Sequence, residues 1–296
     1  MNATKRRASA LLPCAVLVIS VSACATRTSE NEPEDGQINE AVTSFEEFLS
    51  TAYQEPDTGL YIVDGDTPVE TLDELVNFYV RHVQGGALTV YTVDDGSLSA
   101  ADDIWADGEK SNLTYCVSQA FGSRYAEVVQ AMEAAGAEWT RAADVRFQWL
   151  GDRTCREATR NKALFRVIPV SGQSYLARSF FPYFEEREVR IDSKAFDSTD
   201  QFSLSGILLH ELGHTLGFVH EHTRPEAGTW EETDGTGCFT PLGSYWRAVT
   251  PYDSGSVMNY PWCHADASLD FTRDFALTGR DKEGAAALYG ASLEGN

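Results

Sequence analysis

His210-Glu211-Leu212-Gly213-His214-Thr215-Leu216-Gly217-Phe218-Val219-His220 is the stretch that decides both fold and chemistry. On a helix, His210 and His214 lie one turn apart on the same face, the separation at which two imidazoles grip one zinc ion. Glu211 rides on that turn without being a ligand and is placed to act as general base toward a water activated by the metal. Gly217 supplies a left-handed residue that ends the helix, so that the chain turns sharply and brings His220 in as third ligand. Three protein ligands leave one position open, which is the mark of a catalytic rather than a structural zinc.

Outward from this stretch the chain alternates between strands and helices. Residues 113–117 read as a strand, and 123–141 as a helix whose apolar positions Tyr125, Val128, Val129, Met132 and Ala135 keep a helical period. Strands are expected at 145–150, 164–170, 176–181 and 189–192, and a helix over 203–216. The chain to about residue 278 is irregular and rich in Gly, Pro and aromatics, and a short helix over 279–289 closes it. Residues 45–110 form a small α/β region of their own. A strand at 59–63 leads into an Asp64-Gly65 turn, and Thr67-Pro68-Val69-Glu70 reads as a capping box that opens a helix to about residue 84. Gly85-Gly86 stops that helix, 87–93 is a strand, and the acidic connection 94–111 is the expected boundary. The division is therefore 1–23, 24–44, 45–110 and 111–296.

The first 23 residues are an export signal: Lys5, Arg6 and Arg7 precede an apolar run over 11–21 that is too short to span a bilayer. Val21-Ser22-Ala23-Cys24 resembles the lipobox of bacterial lipoproteins, in which the cysteine is acylated; plain cleavage near Ala23 or Ala25 is the alternative. Residues 24–44 read as a disordered tether. The expectation is an exported protein of a bacterial envelope, an outer-membrane lipoprotein or a secreted one, that touches membrane only through a lipid on Cys24. Residues 1–23 hold three basic and no acidic side chains, so the exported chain has 20 Lys+Arg against 45 Asp+Glu, a formal charge of −25. Such a balance excludes nucleic acid as a natural partner. It would suit calcium or cationic substrates, although solubility is the plainer reading. Of six cysteines, Cys14 leaves with the signal and Cys116, Cys155, Cys238 and Cys263 remain. Proximity pairs Cys116 with Cys155 and Cys238 with Cys263, while the count alone allows three connectivities.

The stretch from His210 to His220 resembles the zinc signature of metzincin metallopeptidases, and Phe218-Val219-His220-Glu221-His222-Thr223-Arg224-Pro225 resembles the astacins among them. Ser256-Val257-Met258-Asn259-Tyr260 is similar to the astacin Met-turn, and Leu176-Ala177-Arg178-Ser179-Phe180-Phe181-Pro182 to a strand segment of matrixins. The blend, on a lipoprotein-like N-terminus, is similar to myxobacterial metallopeptidases, including the dual-action HEIGH group. The resemblance covers roughly residues 112–290. It implies an α+β metzincin-type catalytic domain, with a twisted mixed sheet, an active-site helix and an irregular C-terminal subdomain. It further implies one zinc ion, Met258 beneath the metal, Tyr260 as oxyanion stabiliser and cleavage of protein or peptide substrates. Three positions depart from the family patterns. Asn259 stands where astacins usually have His, His222 where they have Gln, and Arg178 where matrixins carry a His for a second zinc. His222 reads as a residue behind the ligands or at the surface. An extended substrate is expected to add to an edge strand above the active-site helix, with 189–192 the candidate.

Val63-Asp64-Gly65-Asp66 also resembles the Gly-Asp motif by which astacin pro-segments place an aspartate on zinc, so 45–110 reads as a pro-segment with Asp66 in the water site. The plainer reading of the same residues is an ordinary turn before a helix cap. Two further functions share the composition: a zinc hydrolase of peptidoglycan or another envelope component, and a non-catalytic surface lipoprotein. The intact Glu211 argues against the second.

Overall fold

The computed structural model describes residues 45–82, 90–93, 101–151, 155, 163–197, 202–227, 246–263 and 274–293. Its N-terminal elements are α1 (Phe45–Thr51), β1 (Tyr53–Gln54), β2 (Tyr61–Val63), β3 (Thr67–Val69), α2 (Leu72–His82), β4 (Val90–Val93) and β5 (Ala101–Asp102). There follow β6 (Leu113–Val117), α3 (Tyr125–Ala142), β7 (Phe147–Trp149), β8 (Phe165–Val170), β9 (Ala177–Arg178), β10 (Glu188–Asp192), α4 (Leu204–Thr215), β11 (Trp246–Arg247) and α5 (Gly279–Tyr289).

The α+β class is as the resemblance implies. β6 sits inside a five-stranded sheet of order β7-β6-β8-β10-β9, in which β9 alone runs antiparallel to its neighbour. Leu113, Tyr115 and Val117 of β6, Phe165 and Val167 of β8, and Val189 and Ile191 of β10 are all buried. They share one core with Val128, Met132 and Trp139 of α3 and Leu208 and Leu212 of α4. The indole N–H of Trp139 donates to Leu209 O at 2.9 Å, which ties α3 to α4 through a group that burial would otherwise orphan. Cys116 and Cys155 are disulfide-bonded, as their proximity suggests.

α4 is a buried helix. Every residue from Gly206 to Thr215 is buried, because Ile207, Leu208, Leu209 and Leu212 carry the helix into the core. Each such side chain gains about 1.5–3 kcal/mol on burial, enough together to take four polar side chains, His210, Glu211, His214 and Thr215, inside with them. Ser203 caps its N-terminus by accepting from Gly206 N. At the other end Gly217 has φ +89°, and a Cβ there would lie 2.2 Å from Asp103 O. Only glycine allows both the turn and that approach.

The structure corrects two expectations. Thr67-Pro68-Val69 does not open a helix: it forms β3, pairs with β2 and buries Val69. The capping box lies four residues later, where Thr71 Oγ1 accepts from Glu74 N and Glu74 Oε2 accepts from Thr71 N, each at 3.1 Å. Both tetrapeptides have the Thr-x-x-Glu pattern, and the chance to bury Val69 in the hairpin decides between them. Nor is 189–192 an edge strand. β10 lies between β8 and β9, so the edge next to α4 is β9.

The N-terminal elements have a smaller core of Phe48, Val63, Val69, Leu75 and Tyr79. Trp105, by contrast, packs in the large core and donates from its indole to Thr215 O at 2.7 Å. β4 pairs with β5 and with β11, which links this part of the chain to residues 246–247.

Candidate metal centre

The three histidines are oriented from behind. His210 Nδ1 donates to Val257 O and His214 Nδ1 to Phe218 O, both at 2.7 Å, and His220 Nδ1 donates to Asp64 Oδ2 at 2.6 Å. These partners only accept, so each Nδ1 bears a proton and each ring turns its Nε2 inward. The Nε2 atoms converge: His220 Nε2 is 3.1 Å from that of His210 and 3.2 Å from that of His214.

Asp66, in the turn between β2 and β3, enters the same cluster. Its Oδ1 is 3.1 Å from His220 Nε2 and 3.5 Å from His214 Nε2, and its Oδ2 is 3.6 Å from His210 Nε2. Tyr260 Oη donates to Asp66 Oδ2 at 2.6 Å. Asp66, His210, His214 and His220 are all buried and form a set of donors able to hold one metal ion.

The donor set fits zinc. Ligands about 2.0–2.1 Å from a tetrahedral ion stand roughly 3.3 Å apart, the spacing these atoms show. Without a cation the arrangement is poor: three imidazole Nε2 atoms and a carboxylate crowd one point in the interior, and Asp66 Oδ1 has no hydrogen-bond partner. The charge balance points the same way, because Asp64, Asp66 and Glu211 are three buried carboxyl groups beside these rings. Burial opposes a charge on His220, yet Asp64 and Asp66 outweigh it and push its pKa up to about 10. His214, with burial dominant, is held down at about 4. Burial and the neighbouring Asp66 charge raise the Glu211 carboxyl above the usual range. Its Oε2 is buried without a hydrogen-bond partner.

Met258 lies under the helix. A Cβ on Gly213 would meet Met258 Sδ at 2.3 Å, so Gly213 is the gap into which the methionine fits between the two histidine-bearing turns. The Met258 segment is pinned from below by Asp281, which accepts from Ser256 Oγ and Val257 N while also forming the capping box of α5. Val257 O, thus fixed, orients His210. A cavity of about 210 Å³ opens beside the cluster, lined among others by Gly65, Tyr175, Ala177, Glu211, Tyr260 and Trp262.

His222 is neither a surface residue nor part of the four-donor set. It is buried, its Nε2 lies 3.0 Å from Asp64 Oδ1, and its Nδ1 accepts from Tyr260 N at 3.2 Å. Asp64 therefore bridges His220 and His222, and it does so with φ +50°, the single non-glycine residue in the left-handed region among the described residues. Arg178 forms a two-pronged ion pair with Glu55, Nε to Oε1 and Nη2 to Oε2, each 2.8 Å. Sequence reasoning missed Asp64 and Glu55 because each meets its partners across more than 120 residues of chain, which no local spacing encodes. Cys263 is disulfide-bonded, and both Cys238 and Cys24 lie outside the described residues.

Residues 100–232 match the model of the Astacin peptidase family. By sequence, the chain is astacin-like. The matched segment holds His210, Glu211, His214 and His220, whereas Asp66, Met258 and Tyr260 lie outside it. Zinc metalloproteinase nas-26 of Caenorhabditis elegans is 32% identical over 91 residues, covering 25% of this chain and 21% of that protein. Astacin-like metalloprotease toxin 2 of Loxosceles intermedia is 38% identical over 63 residues, 19% of this chain and 25% of the toxin. The chain thus spans about a quarter of the length of the curated relatives it matches. Among solved structures, myroilysin aligns with a TM-score of 0.46 at 20% identity, over 64% of this chain and 97% of that one. No helix among the described residues is long and apolar enough to cross a membrane.

Proposed function

We propose that this chain is a zinc-dependent endopeptidase of the astacin type in its latent form, with Asp66 as the residue that blocks it. The reading rests on one observation above the others: Asp66 converges with His210, His214 and His220 on a single buried point. These four residues would hold zinc, which when bound supplies Lewis acidity toward a scissile carbonyl and makes a neighbouring water acidic. Glu211 takes the proton from the attacking water and delivers it to the leaving amine. Tyr260 has two roles in sequence. In the full chain its hydroxyl holds Asp66, and once Asp66 departs the same hydroxyl is free to donate to the oxyanion of the substrate. β9 offers the edge along which an extended peptide aligns above α4.

Full-length protein, and protein with Asp66→Ala, assayed on casein with and without a chelator, tests the reading. Weak cleavage by the former and strong, chelator-sensitive cleavage by the latter is expected. Activity equal in both would remove Asp66 from the mechanism, and no chelator-sensitive activity in either would remove the peptidase. Export with a lipid on Cys24 belongs to the same proposal. Cys24→Ala should move the protein from membrane to soluble fractions, and unchanged fractionation with an unmodified N-terminus refutes the anchor.

A further inference from the structure

Arg178 and Arg190 face each other as direct partners across β9 and β10. Like charges opposite one another in a sheet repel, and both of these are buried. What makes the pair tolerable is Glu55, from the turn after β1. Its carboxylate is fully buried, accepts both prongs of Arg178, and stands 3.6 Å from Arg190 Nε. Tyr175 Oη donates to the same carboxylate, and Thr58 Oγ1 to its other oxygen at 2.5 Å. Arg190 Nε is buried with no hydrogen-bond partner of its own, so the socket has donor capacity left over.

Of these groups, Glu55 and Thr58 belong to the N-terminal hairpin, as does Asp57, which pairs with Arg190. Arg178, Arg190 and Tyr175 belong to the sheet and its edge. If the hairpin withdraws, Arg178 keeps no carboxylate partner among the described residues, and Arg190 keeps only Glu188, which it shares with Arg166. Two cations and a phenol would then face outward, in a chain whose formal charge is −22. The socket is continuous with the cleft, since Tyr175 and Ala177 line the cavity that also holds Glu211 and His210.

We propose that Arg178, Arg190 and Tyr175 form a carboxylate-binding subsite at the edge strand, filled by Glu55 in the full-length chain and by a carboxylate of the peptide substrate once the hairpin has left. The carboxylate is an acidic side chain or the C-terminus of the peptide. This rests on the reading of the cleft as a peptidase site covered by the N-terminal region. The chemistry is that of a two-pronged arginine clamp with an added hydroxyl donor, which distinguishes Glu from its isostere Gln by charge alone.

Two measurements on the full-length chain test it. In the first, propionate should raise the melting temperature of Glu55→Ala, propionamide at the same concentration should not, and adding Arg178→Gln should abolish the effect. Equal responses to acid and amide overturn the socket. In the second, Glu55→Ala combined with Asp66→Ala removes both plugs. Fluorogenic peptides differing by one Glu/Gln exchange at successive positions are compared, beside pairs ending in carboxylate or amide. One position, or the terminus, should favour the acid in kcat/KM by about tenfold or more, and Arg178→Gln should erase that preference. Absence of any such position confines the socket to holding the hairpin and overturns its role toward substrate. If no peptide is cleaved while propionate still rescues, the peptidase reading has failed and the substrate role with it. If peptides are cleaved while rescue is absent, the socket alone has failed.

Discussion

Gly65→Ala changes a residue that is not itself one of the four donors, and the structure fixes what it should do. Gly65 has φ +87°, and a Cβ there would sit 2.7 Å from Tyr260 Cε2 and 2.9 Å from Tyr260 Oη. The ring has little room to yield. It stacks between His222 and Trp262, with centroids 4.7 and 4.6 Å away, and lies against His210 at 5.5 Å. The left-handed backbone costs alanine about 1–2 kcal/mol, and relieving the contact by distorting the turn adds roughly 1–2 kcal/mol more. Together these place about 2–4 kcal/mol against the docked turn, which shifts the docked-to-open equilibrium by roughly 30- to 1000-fold. Because Asp66 is the next residue, the open form is the active one under the proposed latency. Unprocessed Gly65→Ala protein, its intact mass verified, should therefore show raised chelator-sensitive cleavage of a fluorogenic peptide. It should also show a lowered melting temperature. A variant that melts earlier yet cleaves no faster than wild type refutes the coupling between this turn and the active site.

Glu211→Gln should retain zinc and lose activity by several orders of magnitude, whereas His210→Ala, His214→Ala or His220→Ala should lose the metal itself; zinc analysis beside the peptide assay separates the two classes. Substantial turnover by Glu211→Gln refutes the assigned base. Acid should loosen the hairpin through Glu55. Burial raises that carboxyl, but the Arg178 pair prevails and lowers it from 4.5 to about 2. A depressed carboxyl stabilises the fold above its unfolded pKa, and the stabilisation, about 3 kcal/mol here, is lost as pH falls from about 4.5 toward 2. Hydrogen exchange in β1 and β2 should accelerate across that window in wild type and show no such step in Glu55→Gln. An identical step in both proteins assigns it to another group.

The catalytic half of the site was legible because it is local. His210, Glu211 and His214 lie within two turns of one helix, Gly217 marks where the helix must end, and the Met258 segment is short and distinctive. Secondary structure was legible where burial agreed with pattern, as at 113–117. It misled at Thr67, where two Thr-x-x-Glu tetrapeptides compete and tertiary burial of Val69 chooses between them. Edge position is a property of the assembled sheet, so the pattern at 189–192 cannot reveal that β9 holds the edge instead. The half contributed by the N-terminal hairpin is mostly long-range chemistry. Asp66 could be suspected from a short motif, but Asp64 bridging two histidines and Glu55 quenching two arginines leave no trace in spacing. They are set by how the hairpin docks.

The proposed latency and catalysis both require Asp66 and the three histidines to hold one zinc ion in the unprocessed chain. Zinc-edge X-ray absorption on the full-length, zinc-loaded protein reads that coordination, with Asp66→Ala as the comparison. One zinc per chain is expected, bound by three imidazole nitrogens and one carboxylate oxygen at about 2.0–2.2 Å. In Asp66→Ala the carboxylate should give way to water while the three nitrogens remain. A chain that binds no zinc, or a spectrum unchanged by Asp66→Ala, would refute the shared site.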